Sequence, residues 1–139
     1  MSATDQASYQ IGEVADRVGL SLRTVRYYEE VGLVEPSGRT PGGFRLYTDD
    51  DVARLHLIKR MKPLGFTLEE TRDLLAVRDA LHSGELDAAA VTEAAARLSM
   101  YAAAATARCE ELGARLAAAE KFAAALRRET VRHAGREHP

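Results

Sequence analysis

The sequence predicts a mainly α chain: a winged helix-turn-helix head over residues 9–81, followed by a long dimerisation helix over residues 86–129. Three observations carry this reading. Apolar residues recur at helical spacing on both sides of Gly19. Pro36, Gly38, Pro41, Gly42 and Gly43 then crowd into eight residues, which is turn chemistry. Beyond residue 85 the composition shifts to alanine, leucine and charge, with no proline before the terminus and apolar residues at heptad spacing.

Residues 1–8 are small and polar and read as a disordered tail. Tyr9 to Val18 carries Ile11, Val14, Ala15 and Val18 at helical spacing, and Gly19 ends that helix in a left-handed conformation. Ser21 is a good N-cap for a second helix. With Val25 at the centre of its buried face, Tyr28, Glu29 and Leu22 lie on or near that face. Arg23, Tyr27 and Glu30 point away, with Arg26 and Thr24 on the flanks. Guanidinium groups and a phenol on the outer surface of a helix suit phosphate and base-edge contact.

Gly32 stops the second helix. The glycine-tipped segment that follows reads as a two-stranded ribbon, with Val34, Phe44 and Leu46 on one side and Arg45 and Tyr47 on the other. Arg39, Arg45 and Tyr47 around such a tip suit a wing resting on a nucleic-acid backbone. Thr48 caps a third helix, whose first turn holds Asp49, Asp50 and Asp51. The helix dipole accounts for these acids without a metal. Val52, Leu55, Ile58 and Met61 form its buried stripe, and Lys59, Arg60 and Lys62 its basic end. Pro63 and Gly65 break the chain, and Thr67 with Glu70 forms a capping box for a fourth helix with Leu68, Thr71, Leu74, Leu75 and Val77 on its apolar face.

The last helix carries a heptad seam. Val91, Leu98, Ala105, Leu112, Ala119 and Leu126 occupy one position, and Ala95, Ala102, Cys109, Leu116 and Ala123 the other. The seam spans about 54 Å. One helix that long cannot bury its seam on a small head, so the expected partner is a second copy across a two-fold axis. Residues 130–139 read as a frayed tail.

Composition bounds the function. The chain of 139 residues has a net charge of −2, yet Arg17, Arg23, Arg26, Arg39 and Arg45 cluster in its first third. Its single cysteine excludes an internal disulfide framework and points to a reducing compartment. With no signal-peptide-like or bilayer-length apolar run, a cytoplasmic protein without membrane contact is expected. No Ser/His/acid or Cys/His arrangement is legible, so no catalytic residue, metal or cofactor is expected.

The residues now described resemble the MerR family of bacterial transcriptional regulators. The likeness rests on YQIGEVADRVGLSLRTVRYYEEVGL and on RTPGGFRLYTDDDVARLHLIKRMKPLGFTLEETRDLL, together covering Tyr9 to Leu75. It implies a homodimer joined by an antiparallel coiled coil that binds inverted-repeat, double-stranded promoter DNA. Family members distort an over-long promoter spacer so that RNA polymerase holoenzyme engages both promoter elements. By family position, Arg23, Arg26 and Tyr27 would contact DNA, with Thr24 beside them and Tyr28 partly packed beneath. Arg45 and Tyr47 would grip phosphate from the wing with Arg39, and Lys59 would add a contact from the next helix. Phe44 stands where many relatives have tyrosine, so that phenolic hydrogen bond is lost. Gln10 is a poorer cap than the threonine or serine usual there. Metal-sensing relatives use two or more cysteines; Cys109 is alone and inside the seam, where it packs or faces its mate across the axis. A helical interaction module that keeps the head fold, or an architectural DNA-binding protein without an inducer, is the alternative reading.

Overall fold

A computed structural model describes residues 7–136. The elements run β1 Ser8–Gln10, α1 Ile11–Val18, α2 Leu22–Glu30, β2 Gly38–Arg39, β3 Arg45–Thr48, α3 Asp49–Met61, a 3₁₀ turn Lys62–Leu64, α4 Leu68–Ser83 and α5 Ala88–Arg136. The described residues fall into two compact units divided between Leu98 and Ser99, so the first turns of α5 belong to the head.

Local chemistry sets the helix ends of the head. Gly19 takes φ 76° after α1, as expected of a left-handed C-terminal residue. The Ser21 hydroxyl accepts from Thr24 N at 3.1 Å and starts α2. Thr48 with Asp51, and Thr67 with Glu70, form complete capping boxes on α3 and α4. Gln10, by contrast, makes no side-chain cap bond to α1. Asp87 opens α5, with Oδ1 accepting from Ala90 N at 2.8 Å.

These ends aim the apolar faces at one another. Val14 and Val18 of α1, Val25 and Tyr28 of α2, Leu33, Val34, Tyr47, Leu55 and Ile58 of α3, and Leu75 of α4 form a single buried cluster. Two cross-ties close it: Arg54 donates through Nε to Leu33 O at 2.6 Å and through Nη1 to both Asp79 carboxylate oxygens at 2.8 Å, and Arg72 donates to the Val31 carbonyl.

The structure differs from expectation at several places. Tyr9 is in a strand, not in α1: Ser8–Gln10 pairs antiparallel with β3, matching Tyr9 to Tyr47. The expected two-stranded ribbon is therefore a three-stranded sheet of order β1-β3-β2. Such pairing joins residues far apart in sequence, and local periodicity carries no trace of it. Leu22 and Leu68 stand exposed at the first turns of their helices instead of joining the buried faces. Val34 is buried, but in the segment before β2. At the chain ends, Ser8 is part of β1, and α5 runs through residues 130–136, where a frayed tail was expected. Residues 1–6 and 137–139 of the expected tails lie outside the described residues.

Leu55 is completely buried at the centre of the core. Leu55→Ala should lower stability by about 2–5 kcal/mol in urea unfolding, through lost transfer energy and the cavity left behind.

Candidate nucleic-acid interface

The outer face of α2 and the wing meet in one open cleft. Arg23, Arg26, Tyr27, Glu29, Glu30 and Arg45 line about 640 Å³ of it. Arg23, Arg26 and Glu30 are exposed, and Tyr27 is 48% exposed. The helical phase centred on Val25 thus matches the exposure of Arg23, Tyr27 and Glu30, and Arg26, expected on the flank, is exposed as well. Thr24 is half-buried, its hydroxyl 2.9 Å from that of Ser21. Tyr28 is buried beneath the face, its ring 5.8 Å from that of Tyr27 in a tilted arrangement.

The wing is a short loop closed by its own backbone. Gly43 N donates to Thr40 O, and Thr40 N to Phe44 O, each at 2.8 Å. Gly43 has φ 85°, a conformation open to glycine at no steric cost. Arg39 is exposed and donates to the Gly43 carbonyl at 3.3 Å. Phe44 is 62% exposed beside the tip.

The two faces of the ribbon are the reverse of those expected. Arg45 and Tyr47 share a face, as period-two alternation requires, but that face turns inward. Tyr47 is fully buried, and its hydroxyl donates to Glu29 Oε2 at 2.7 Å. The expectation that Tyr47 grips phosphate is thus corrected: a ring with no exposure, whose hydroxyl is already committed, has nothing to offer a ligand. Tyrosine is amphipathic, so either face satisfied the sequence pattern, and a buried acceptor on α2 selected one. Arg45 Nε lies 2.7 Å from Glu29 Oε1, an ion pair outside hydrogen-bond alignment.

Lys59 is exposed, and one of the three donors of its ammonium goes to Val18 O at 2.8 Å, capping the C-terminal end of α1, a partner the sequence reading did not foresee. The acceptor lies on another helix, which spacing within α3 could not reveal. A Cβ at Gly19 would stand 2.8 Å from Lys59 Nζ, so that glycine also makes room for the strut.

Comparison with known proteins bears on this site. The family description "MerR HTH family regulatory protein" matches residues 9–77, and "MerR, DNA binding" matches residues 52–128. The chain belongs to the MerR family. It is 51% identical over 71 residues to the mercuric resistance operon regulatory protein of Bacillus cereus, covering 51% of this chain and 54% of the relative. It is 47% identical over 70 residues to the transcriptional regulator ZntR of Escherichia coli K12, covering 50% of each chain. The match thus spans about half the length of these relatives. Among solved structures, PbrR691 of Ralstonia metallidurans CH34, in complex with lead(II), is 33% identical with a TM-score of 0.52, covering 86% of each chain. HiNmlR, a MerR-family regulator lacking the sensor domain and bound to promoter DNA, shares the fold at 23% identity and a TM-score of 0.60, covering 84% of this chain and 78% of that one.

Cys109 is the chain's single cysteine and is exposed on α5. Among the described residues no three His, Cys, Asp or Glu side chains gather as a ligand set. No helix among them is long and apolar enough to cross a membrane.

Burial, then the hydrogen bond to Glu29, then the charge of that carboxylate push the Tyr47 phenol well above its ordinary value of 10.0. The folded state holds this proton more tightly than the unfolded chain does. The contribution is complete below pH about 10 and is lost as pH rises beyond it. Tyr47→Phe should cost about 1–3 kcal/mol at neutral pH by leaving a carboxylate oxygen without its donor. In urea titrations run at increasing alkaline pH, the variant should also lose stability less steeply than the parent.

Proposed function

We propose that this MerR-family chain is a homodimeric transcriptional regulator that binds inverted-repeat promoter DNA and distorts the spacer, thereby controlling RNA polymerase. One observation carries the reading. Arg23, Arg26 and Tyr27 of α2 and Arg45 of the wing line a single cleft, although the whole chain carries a net charge of −2. Arg23, Arg26 and Tyr27 meet base edges and phosphates, with Thr24 at the helix start. Arg39, Phe44 and Arg45 hold the backbone from the wing. Tyr28 and Tyr47 serve from beneath, as packing. A helix face beside a wing is the arrangement expected of a major-groove reader with a flanking phosphate grip.

Dimerisation follows from α5. Val91, Leu112, Leu116 and Leu126 of its seam are exposed, as are Ala102, Cys109 and Ala119, with Leu98 and Ala105 half-buried. An apolar stripe of this length is the signature of a coiled-coil partner, here a second copy running antiparallel. Two heads held at a fixed separation then bind two half-sites, and contacts on both strain the DNA between them. HiNmlR, which shares the fold, was solved on promoter DNA, in keeping with this reading.

In binding titrations against an inverted-repeat duplex, Arg26→Ala should cost about 1–3 kcal/mol and relax specificity, while Arg45→Ala should weaken all sequences alike and lower the salt slope by about one. Parental affinity in both variants would refute the contact assignment. In sedimentation equilibrium the parent should be a dimer at micromolar concentration, and Leu112→Glu with Leu116→Glu should shift it to monomer. A monomeric parent would remove the two-headed mechanism.

A further inference from the structure

We propose that Glu29 is a positioning residue for DNA binding: one carboxylate on α2 locks the wing strand through the Tyr47 hydroxyl and orients the Arg45 guanidinium toward phosphate. The inference rests on the reading of Arg45 as a wing contact.

Glu29 stands between two groups of opposite fate. Its Oε2 accepts from the fully buried Tyr47 at 2.7 Å, and its Oε1 lies 2.7 Å from Arg45 Nε. The Glu29 side chain is 16% exposed, whereas that of Arg45 is 38% exposed. Within Arg45 the exposure is unequal, because Nε itself is buried. The guanidinium thus has its Nε against the carboxylate, while Arg45 lines the cleft together with Arg23, Arg26 and Tyr27. Arginine is planar and binds phosphate through two adjacent donors, so fixing one edge sets the direction of the others. Orientation made before binding does not have to be made at the expense of affinity.

This role gives an unusual sign. Glu29 is an acid in a cleft lined by arginines. If it were only a local negative charge, removing it would tighten binding to any duplex, since phosphate contacts are electrostatic. If it positions Arg45, removing it weakens binding despite the gain in positive charge.

The experiment measures the affinity and salt slope of the full chain on a fluorescently labelled random-sequence duplex, for the parent, Glu29→Gln, Arg45→Ala and the double variant. Thermal melting by circular dichroism reports folding for each. Glu29→Gln should bind roughly fivefold more weakly with a shallower salt slope, and should have no weakening effect in the Arg45→Ala background, as coupled residues require. Arg45→Lys, which keeps the charge without the planar fork, should also bind more weakly than the parent, and it serves if Glu29→Gln does not fold. Parental or tighter binding by Glu29→Gln, or parental binding by Arg45→Lys, while Arg45→Ala is weakened, overturns the positioning role and leaves the wing contact standing. Parental binding by Arg45→Ala overturns the wing contact and this role with it.

Discussion

The buried contact between the Tyr47 hydroxyl and Glu29 decides which way the wing strand faces. A phenol taken out of water needs an acceptor, and α2 presents one 2.7 Å away. With Tyr47 inside, alternation sends Arg45 to the same side and places Phe44 outward at the tip. The strand then has its other backbone edge available to β1, which pairs Tyr9 with Tyr47. Core packing, sheet order and the direction of an arginine beside the cleft thus share one constraint. Removing it would affect all three together.

The head and the long helix solve different problems. The head is closed by caps, by one apolar cluster and by side chains that reach across elements, such as Arg54 to Leu33 and Asp79, and Lys59 to Val18. Along the Ser99–Arg136 part of α5, by contrast, Leu112, Leu116, Phe122 and Leu126 are exposed. That contrast is the physical basis of the proposed dimer, in which a second copy covers what this chain cannot. Threonines along the helix return their hydroxyls to the carbonyl four residues earlier, as Thr106 does to Ala102 at 3.1 Å, so their polar groups add little to the surface chemistry of α5.

Charge in the head is organised by position. Acids outnumber bases in the chain, yet those nearest the cleft include Glu29, which is bound to structural partners. Others sit in first turns, where Asp51 and Glu70 complete capping boxes. An acid used as a cap or strut presents less free negative charge to a polyanion than a solvated one. A net charge near zero is therefore compatible with a face suited to phosphate.

Much of this was legible in the sequence, because helix phase and helix caps are local. Ser21, Thr48, Thr67 and Gly19 mark their helix ends by residue type alone, and the period around Val25 placed Arg23 and Tyr27 outward with Arg26 on the flank. The heptad spacing of α5 is also a local pattern, and the interface it suggests belongs to the proposal. Contacts between distant elements were not legible. Tyr47 fits either face of a strand until the neighbouring element is in place, and the carbonyl that Lys59 meets lies on another helix. The sequence by itself determined the helices, their faces and the residues that cap them, through interactions a few residues long. Tertiary structure alone decided that Tyr47 is core, that Lys59 meets the end of α1, that Tyr9 belongs to a sheet and that Glu29 joins wing to helix, because each depends on a partner at least sixteen residues away.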